Sequence, residues 1–104
     1  MMIVTTETVA GREIIETLGM ARGNTVRAKH IGKDIMAGLR NLIGGEIKEY
    51  TEAIREARTE AIKRMTAEAE EMEADAIVGV RFSTVQIMTG AAEMMAYGTA
   101  VKFK

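Results

Sequence analysis

From Glu46 to Ala74 the chain runs without a Gly or a Pro and draws mainly on Ala, Glu, Lys, Arg, Ile and Met, the strong helix formers. Ile47, Tyr50, Ile54, Ala57, Ala61, Met65, Ala69 and Met72 recur at steps of three and four, which sets them along one side of a 3.6-residue helix. Glu49, Glu52, Arg55, Glu56, Glu60, Lys63 and Glu70 fall on the other side. Glu52 with Arg55 and Glu60 with Arg64 are spaced as neighbouring ion pairs on a helix surface. A helix of about 29 residues is about 43 Å long at 1.5 Å per residue, whereas a compact domain of this size has a radius of gyration of about 13 Å. Such a helix is expected to overhang its own sheet and to leave part of its stripe, the end carrying Met65, Ala69 and Met72, to a neighbour.

The remaining segments must pack on that helix. Met2 to Thr6 is short and β-branched and reads as a first strand. Past Gly11, the run Arg12–Leu18 fits a strand better than a helical turn, Gly19 and Gly23 bracket a turn-rich segment, and Thr25–Ala28 reads as a further short strand or a continuation. Ile31, Ile35, Leu39, Leu42 and Ile43 return to helical spacing with Asp34 early and Arg40 late, as the helix dipole prefers; this is a shorter helix, ended by Gly44-Gly45. After Met72 the composition turns β-branched. Ala76–Ile87 reads as a strand, Thr89–Ala92 as a turn, and Glu93–Phe103 as its antiparallel partner. Met95, Tyr97, Thr99, Val101 and Phe103 share one face of that partner and Met94, Ala96, Gly98 and Ala100 the other. The small residues Gly79, Ala96, Gly98 and Ala100 suit a sheet face that the long helix approaches closely.

Length and composition bound the classes of function. The 104 residues suit a single domain, 1–104, with one modest core. With only 2 Tyr, 2 Phe and no Trp against 9 Met, that core must be built from small aliphatics and thioethers, and subunit contacts are the natural source of further burial. The absence of cysteine excludes disulfide and thiolate chemistry and fits a reducing cytoplasm. The N-terminus has no basic n-region, and its apolar run Met1–Val4 is too short for a secretion signal. No stretch reaches the roughly 20 apolar residues of a membrane span. A formal net charge of -1 gives no overall attraction to nucleic acid or to an anionic membrane.

Taken together, Gly11-Arg12-Glu13-Ile14, Leu18-Gly19, Gly44-Gly45-Glu46 opening an Ala-rich helix with Tyr50, Ala74-Asp75-Ala76-Ile77-Val78-Gly79-Val80 and Tyr97-Gly98-Thr99-Ala100-Val101 resemble the YbjQ family, also called UPF0145 and labelled as heavy-metal-binding. The resemblance spans nearly the whole chain in order. It implies an α+β subunit similar to that of dodecin: an antiparallel sheet of three to four strands packed on one long and one shorter helix. It also implies assembly into a ring-shaped homopentamer, and no established enzymatic activity. The chain departs from the pattern at Glu46 and Glu73, where close relatives are expected to carry Arg and Gly. Without that Gly the long helix is expected to end without a left-handed cap.

The family label suggests a metal, and the donors are few. A soft or borderline metal wants thiolates or several imidazoles, and this chain has no Cys and one His. His30 and Asp34, four apart, are the candidate ligands; symmetry could gather several copies of the pair around an axis, against the plainer reading of a solvated histidine at a helix start. Met88, Met94 and Met95 could offer thioethers to Cu(I), but Met94 and Met95 point to opposite faces and methionine fills cores in aromatic-poor domains. Glu68, Glu70, Glu71, Glu73 and Asp75 crowd the end of the long helix yet spread around its circumference instead of converging as a calcium loop does. The basic segment Arg22, Arg27, Lys29, Lys33 and Arg40 is its counterpart, either as a second solvated face or as the surface that meets the acidic end of the next subunit. Without interleaved aromatics it makes a poor nucleic-acid site. Ser83, the one serine, has no nucleophile elbow around it, and Gly44-Gly45 lacks the lysine and spacing of a phosphate loop. The reading is a non-enzymatic, cytoplasmic homo-oligomer presenting a ring surface or central channel to a metal ion, divalent in kind, or to another small ligand. The alternative is an enzyme or regulatory factor whose active site lies between subunits.

Overall fold

The structure, a computed structural model, describes residues 1–28, 48–88 and 91–104. The helix expected over residues 31–43 and the Gly44-Gly45 turn lie outside the described residues. Four strands and one helix follow in the order β1 (Met2–Ile3), β2 (Ile14–Ala28), α1 (Lys48–Glu71), β3 (Ala76–Met88) and β4 (Ala91–Phe103). The fold is α+β, as expected, with the strands in the order β1-β3-β4-β2. Antiparallel pairing joins β3 to β4 and β4 to β2, while β1 joins β3 in parallel, so the sheet is mixed at its first edge. The expected hairpin is present and longer than the sequence suggested: Ala91 and Ala92, read as turn, already pair with Arg27 and Gln86 or their neighbours in the ladders of β4.

β2 is the main departure from the sequence reading. The chain does not turn between Gly19 and Gly23; it is one strand of 15 residues through both. The strand absorbs its irregularity in register shifts at Ile14/Glu16 and Thr17/Gly19, and Gly19 takes a φ of 128° there, a conformation open to glycine. Gly23 serves a different purpose. A Cβ built on it would run into the Ala61 carbonyl oxygen, the Met65 nitrogen and the Arg64 Cβ, so α1 crosses β2 almost backbone to backbone at this point.

The close crossing explains the composition of the core. Ala21, Ala61, Met65, Ala69, Ile77, Val80, Ala96 and Ala100 form the buried cluster between helix and sheet. Alternation on the strands gives the pattern: Ala21, Gly23 and Thr25 of β2 and Met94, Ala96, Gly98 and Ala100 of β4 are buried toward α1, as period-2 geometry requires. Thr25 keeps its hydroxyl satisfied in this apolar seam by donating to the Ala57 carbonyl at 3.2 Å. Met65 and Ala69, expected to be left for a neighbour, are fully buried in their own subunit. The C-terminal half of the helix is seated where Ala21, Gly23, Ala96 and Ala100 are small enough to admit it.

A second, smaller cluster covers the opposite face at one end of the sheet: Ala76, Val78, Val101 and Phe103, with Val4, Val9 and Ile14 packed against it. The N-terminal segment holds this end. Val4 N donates to the Ile77 carbonyl at 3.0 Å, Gly79 N to Thr6 at 2.8 Å and Val80 N to Val4 at 3.0 Å. Arg81 adds a guanidinium bond to the Thr5 carbonyl at 2.9 Å. Gly79, with φ 62°, lets β3 bulge around this segment; its conformation, not a close approach of the helix, is what calls for glycine.

Candidate functional site

The register of the ladders places an array, uncovered among the described residues, on the face of the sheet away from α1. Directly opposed residues of an antiparallel pair lie on one face. Arg22 of β2 and Arg81 of β3 both pair with Tyr97 of β4; Asn24 and Ser83 both pair with Met95; Val26 and Val85 both pair with Glu93. Three rows therefore cross three strands: Arg-Tyr-Arg, Asn-Met-Ser and Val-Glu-Val. Strands lie about 4.8 Å apart, so the outer members of each row stand about 10 Å from each other across the central residue. Tyr97, Met95 and Glu93 are half-buried between their neighbours, while Arg22, Arg81, Val26 and Val85 are exposed. The array offers guanidinium and phenol donors, an amide, a hydroxyl, a thioether and one carboxylate: chemistry for holding a ligand, with no described general-base and nucleophile pair.

The residues singled out in the sequence distribute themselves as follows. His30 and Asp34 lie outside the described residues, as do Lys29, Lys33 and Arg40. Among the described residues no three His, Cys, Asp or Glu side chains gather as a metal would need. Met94 is buried toward the helix and Met95 belongs to the opposite face, so the two thioethers are separated by the sheet. The acidic end of α1 does not converge: Glu70, Glu71 and Glu73 are exposed. Asp75 is occupied structurally, its carboxylate accepting from Phe103 N at 2.8 Å and its own N–H donating to the Val101 carbonyl at 2.8 Å. Glu60 and Arg64 form the expected pair at 3.3 Å, and Arg64 reaches further, donating to the Asn24 carbonyl. Exposure of both partners makes this pair a weak contributor to stability. A shallow hollow on the solvent side of α1 is lined by Glu52, Arg55, Glu56, Thr59 and Glu60, all from one helix, and so encloses nothing.

Sequence reasoning separated what the structure joins. It placed Arg22 in a basic segment, weighed Ser83 only as a nucleophile and put Met95 with Tyr97 on one face of one strand. Alternation along β4 was legible. Which residues of β2 and β3 flank it was not, because the bulge at Val78/Arg81 and the shift at Thr17/Gly19 each change the register that a strict alternation would give.

Comparison with known proteins agrees with the fold and its pattern. A family model described as "Putative heavy-metal-binding" matches residues 1–104. A UPF0145 protein of Methanosarcina acetivorans is 62% identical over 102 residues, covering 98% of this chain and 96% of that protein. One from Archaeoglobus fulgidus is 62% identical over 103 residues, covering 99% and 95%. Among solved structures, a protein of unknown function from Pediococcus pentosaceus, described as a DUF74 family member, superposes with a TM-score of 0.69 at 18% identity, covering 100% of this chain and 98% of its own. That identity speaks to the fold alone. No described helix is long and apolar enough to cross a membrane. With the sheet, the helix packed on it and a full-length match at this identity in hand, the chain belongs to the YbjQ family, UPF0145.

Proposed function

We propose that this chain is the subunit of a cytoplasmic homo-oligomeric ring, five copies in number by its family resemblance, that binds a small ligand between subunits and carries out no chemistry on it. The observation that carries the reading is the Arg22-Tyr97-Arg81 face, uncovered among the described residues, on a subunit more extended than a compact chain of its length. Its radius of gyration is 17.0 Å, against about 13 Å for a compact chain of this length. In a ring, several copies of that face would surround one opening, and the guanidinium groups would favour an anionic or planar guest.

A resident soft metal does not fit the donors of one chain. There is no cysteine, there is a single histidine, and no ligand cluster exists among the described residues. A metal ion would need His30 and Asp34 from several copies at once. Elemental analysis of protein purified without a metal-affinity tag, repeated on His30→Ala, decides this. Stoichiometric metal lost in the variant supports the shared site; no metal in either, with no binding on titration, removes the metal from the proposal. Light scattering tests the ring itself: a mass near five subunits is expected, and a clean monomer at all concentrations overturns it.

A further inference from the structure

Among the described residues, two strand edges of this subunit are open along most of their length, and they match each other. On β3, the N-terminal segment takes the outer backbone groups as far as Val80. From Arg81 to Gln86 the strand runs in unbroken register with β4, and among the described residues no strand lies on its other side. Alternate N–H and C=O groups of such an edge point away from the sheet. The stretch Phe82 to Met88 contains no charged residue, Pro or Gly, and Phe82 is 45%, Val85 53% and Ile87 50% exposed. Monomeric proteins protect an edge of this kind with charges, prolines or cover; from Phe82 to Met88 the strand itself carries neither charge nor proline, Arg81 at the start of the edge being its one charged residue. At the opposite end of the sheet, β2 runs in unbroken register with β4 from Gly19 to Ala28, again with no described strand outside it, and Met20 and Val26 are 57% and 54% exposed.

We infer that the β3 edge Arg81–Gln86 of one subunit pairs with the β2 edge Gly19–Ala28 of the next, so that the sheet continues from copy to copy and the two edges form one head-to-tail interface. The occupant is a second copy because the chain carries both halves. Edge β3 lies at one side of the sheet and edge β2 at the other, so the contact is heterologous and propagates around a ring. Surface area supports the same occupant. The subunit exposes 7276 Å², where a compact monomer of 11.4 kDa exposes about 5,800 Å². The excess, about 1,500 Å², is close to the two half-interfaces of about 800 Å² each that every member of a ring must bury. Continuity of the sheet would also set the Arg22-Tyr97-Arg81 rows of adjacent copies side by side on one face.

The inference rests on the ring reading above, and the test separates the two. The chain has no cysteine, so engineered pairs report without background. Val85→Cys is combined in turn with Met20→Cys, Arg22→Cys, Asn24→Cys or Val26→Cys, all on the face away from α1, and each double variant is oxidised with glutathione disulfide. Val26 and Val85 of one chain flank Glu93 and stand about 10 Å apart, beyond the roughly 7 Å that a disulfide spans, so any bond joins two chains. Expected is a ladder of covalent multimers on a non-reducing gel, from at least one pair, ending at the ring size that light scattering gives, with each single variant free of the ladder. A covalent dimer from Val85→Cys alone means that β3 pairs with β3 and overturns the head-to-tail contact. An assembled protein in which no pair forms a ladder overturns the edge pairing and leaves the ring. A monomer by light scattering overturns both.

Discussion

Glu73 holds a backbone conformation that the sequence argued against. Its φ is 61°, left-handed, and around it Glu73 N donates to the Glu70 carbonyl at 3.0 Å and Ala74 N to the Ala69 carbonyl at 3.1 Å. This is the Schellman closure of a helix, with Glu in the place glycine usually takes. The helix therefore does end in a left-handed cap, and a residue with a Cβ bears the strain. Glu73→Gly is expected to raise stability by about 0.5–1 kcal/mol, the relief of that strain less the entropy glycine loses on folding, read as an upward shift of the denaturant midpoint with an unchanged slope. Gly23 makes the opposite case. Its would-be Cβ meets backbone atoms of Ala61 and Met65, which cannot rotate aside, so Gly23→Ala must push α1 from the sheet. A loss of about 1–3 kcal/mol is expected from overpacking, with lowered protection of α1 amides in hydrogen exchange.

At the scale of elements, one seam and one strap hold the subunit. The seam is α1 on β2 and β4, where Met65 is the large side chain among alanines. Met65→Ala is expected to cost about 2–5 kcal/mol by thermal or chemical unfolding, because a seam set by backbone contact at Gly23 cannot close over the lost volume. The strap is the N-terminal segment on β3. Arg81 ties it by guanidinium bonds to the Thr5 and Val80 carbonyls, each at 2.9 Å, and Arg12 lies 4.3 Å from the centre of the Phe103 ring as a cation–π contact. Arg81→Met keeps the stem and removes the donors. Faster exchange of the Val4 amide is expected, at a cost of about 1–2 kcal/mol, while the amides of β4 stay protected.

For the whole molecule, two pictures of the subunit contact differ in their response to salt. Edge pairing gains mainly from backbone hydrogen bonds and apolar burial, which added salt screens little. A contact between the basic segment and the acidic end of α1 weakens as the Debye length falls to about 3 Å at 1 M. The assembly is expected to keep its light-scattering mass in 1 M salt, and the double variant Lys33→Glu, Arg40→Glu is the discriminating partner. If that variant falls apart at low salt, the charged contact gives the ring its register; if it stays intact at both ionic strengths, charge does not.

The sequence by itself determined the elements: the glycine-free run made the helix, the β-branched run after Met72 made the hairpin, and the alternation along Glu93–Phe103 sorted its two faces. These are signals written at short range, in periods of 3.6 and 2. Tertiary structure decided what each glycine was for and which residues became neighbours. Gly23 read as a turn because nothing nearby in sequence reveals that a helix some 40 residues later crosses it. Glu73 read as an uncapped end because propensity disfavors, without forbidding, a left-handed glutamate that hydrogen bonds on both sides hold in place. The Arg22-Tyr97-Arg81 row needed two bulges to bring it into line, and the open edges of β2 and β3 follow from strand order, which long-range pairing sets and local sequence does not.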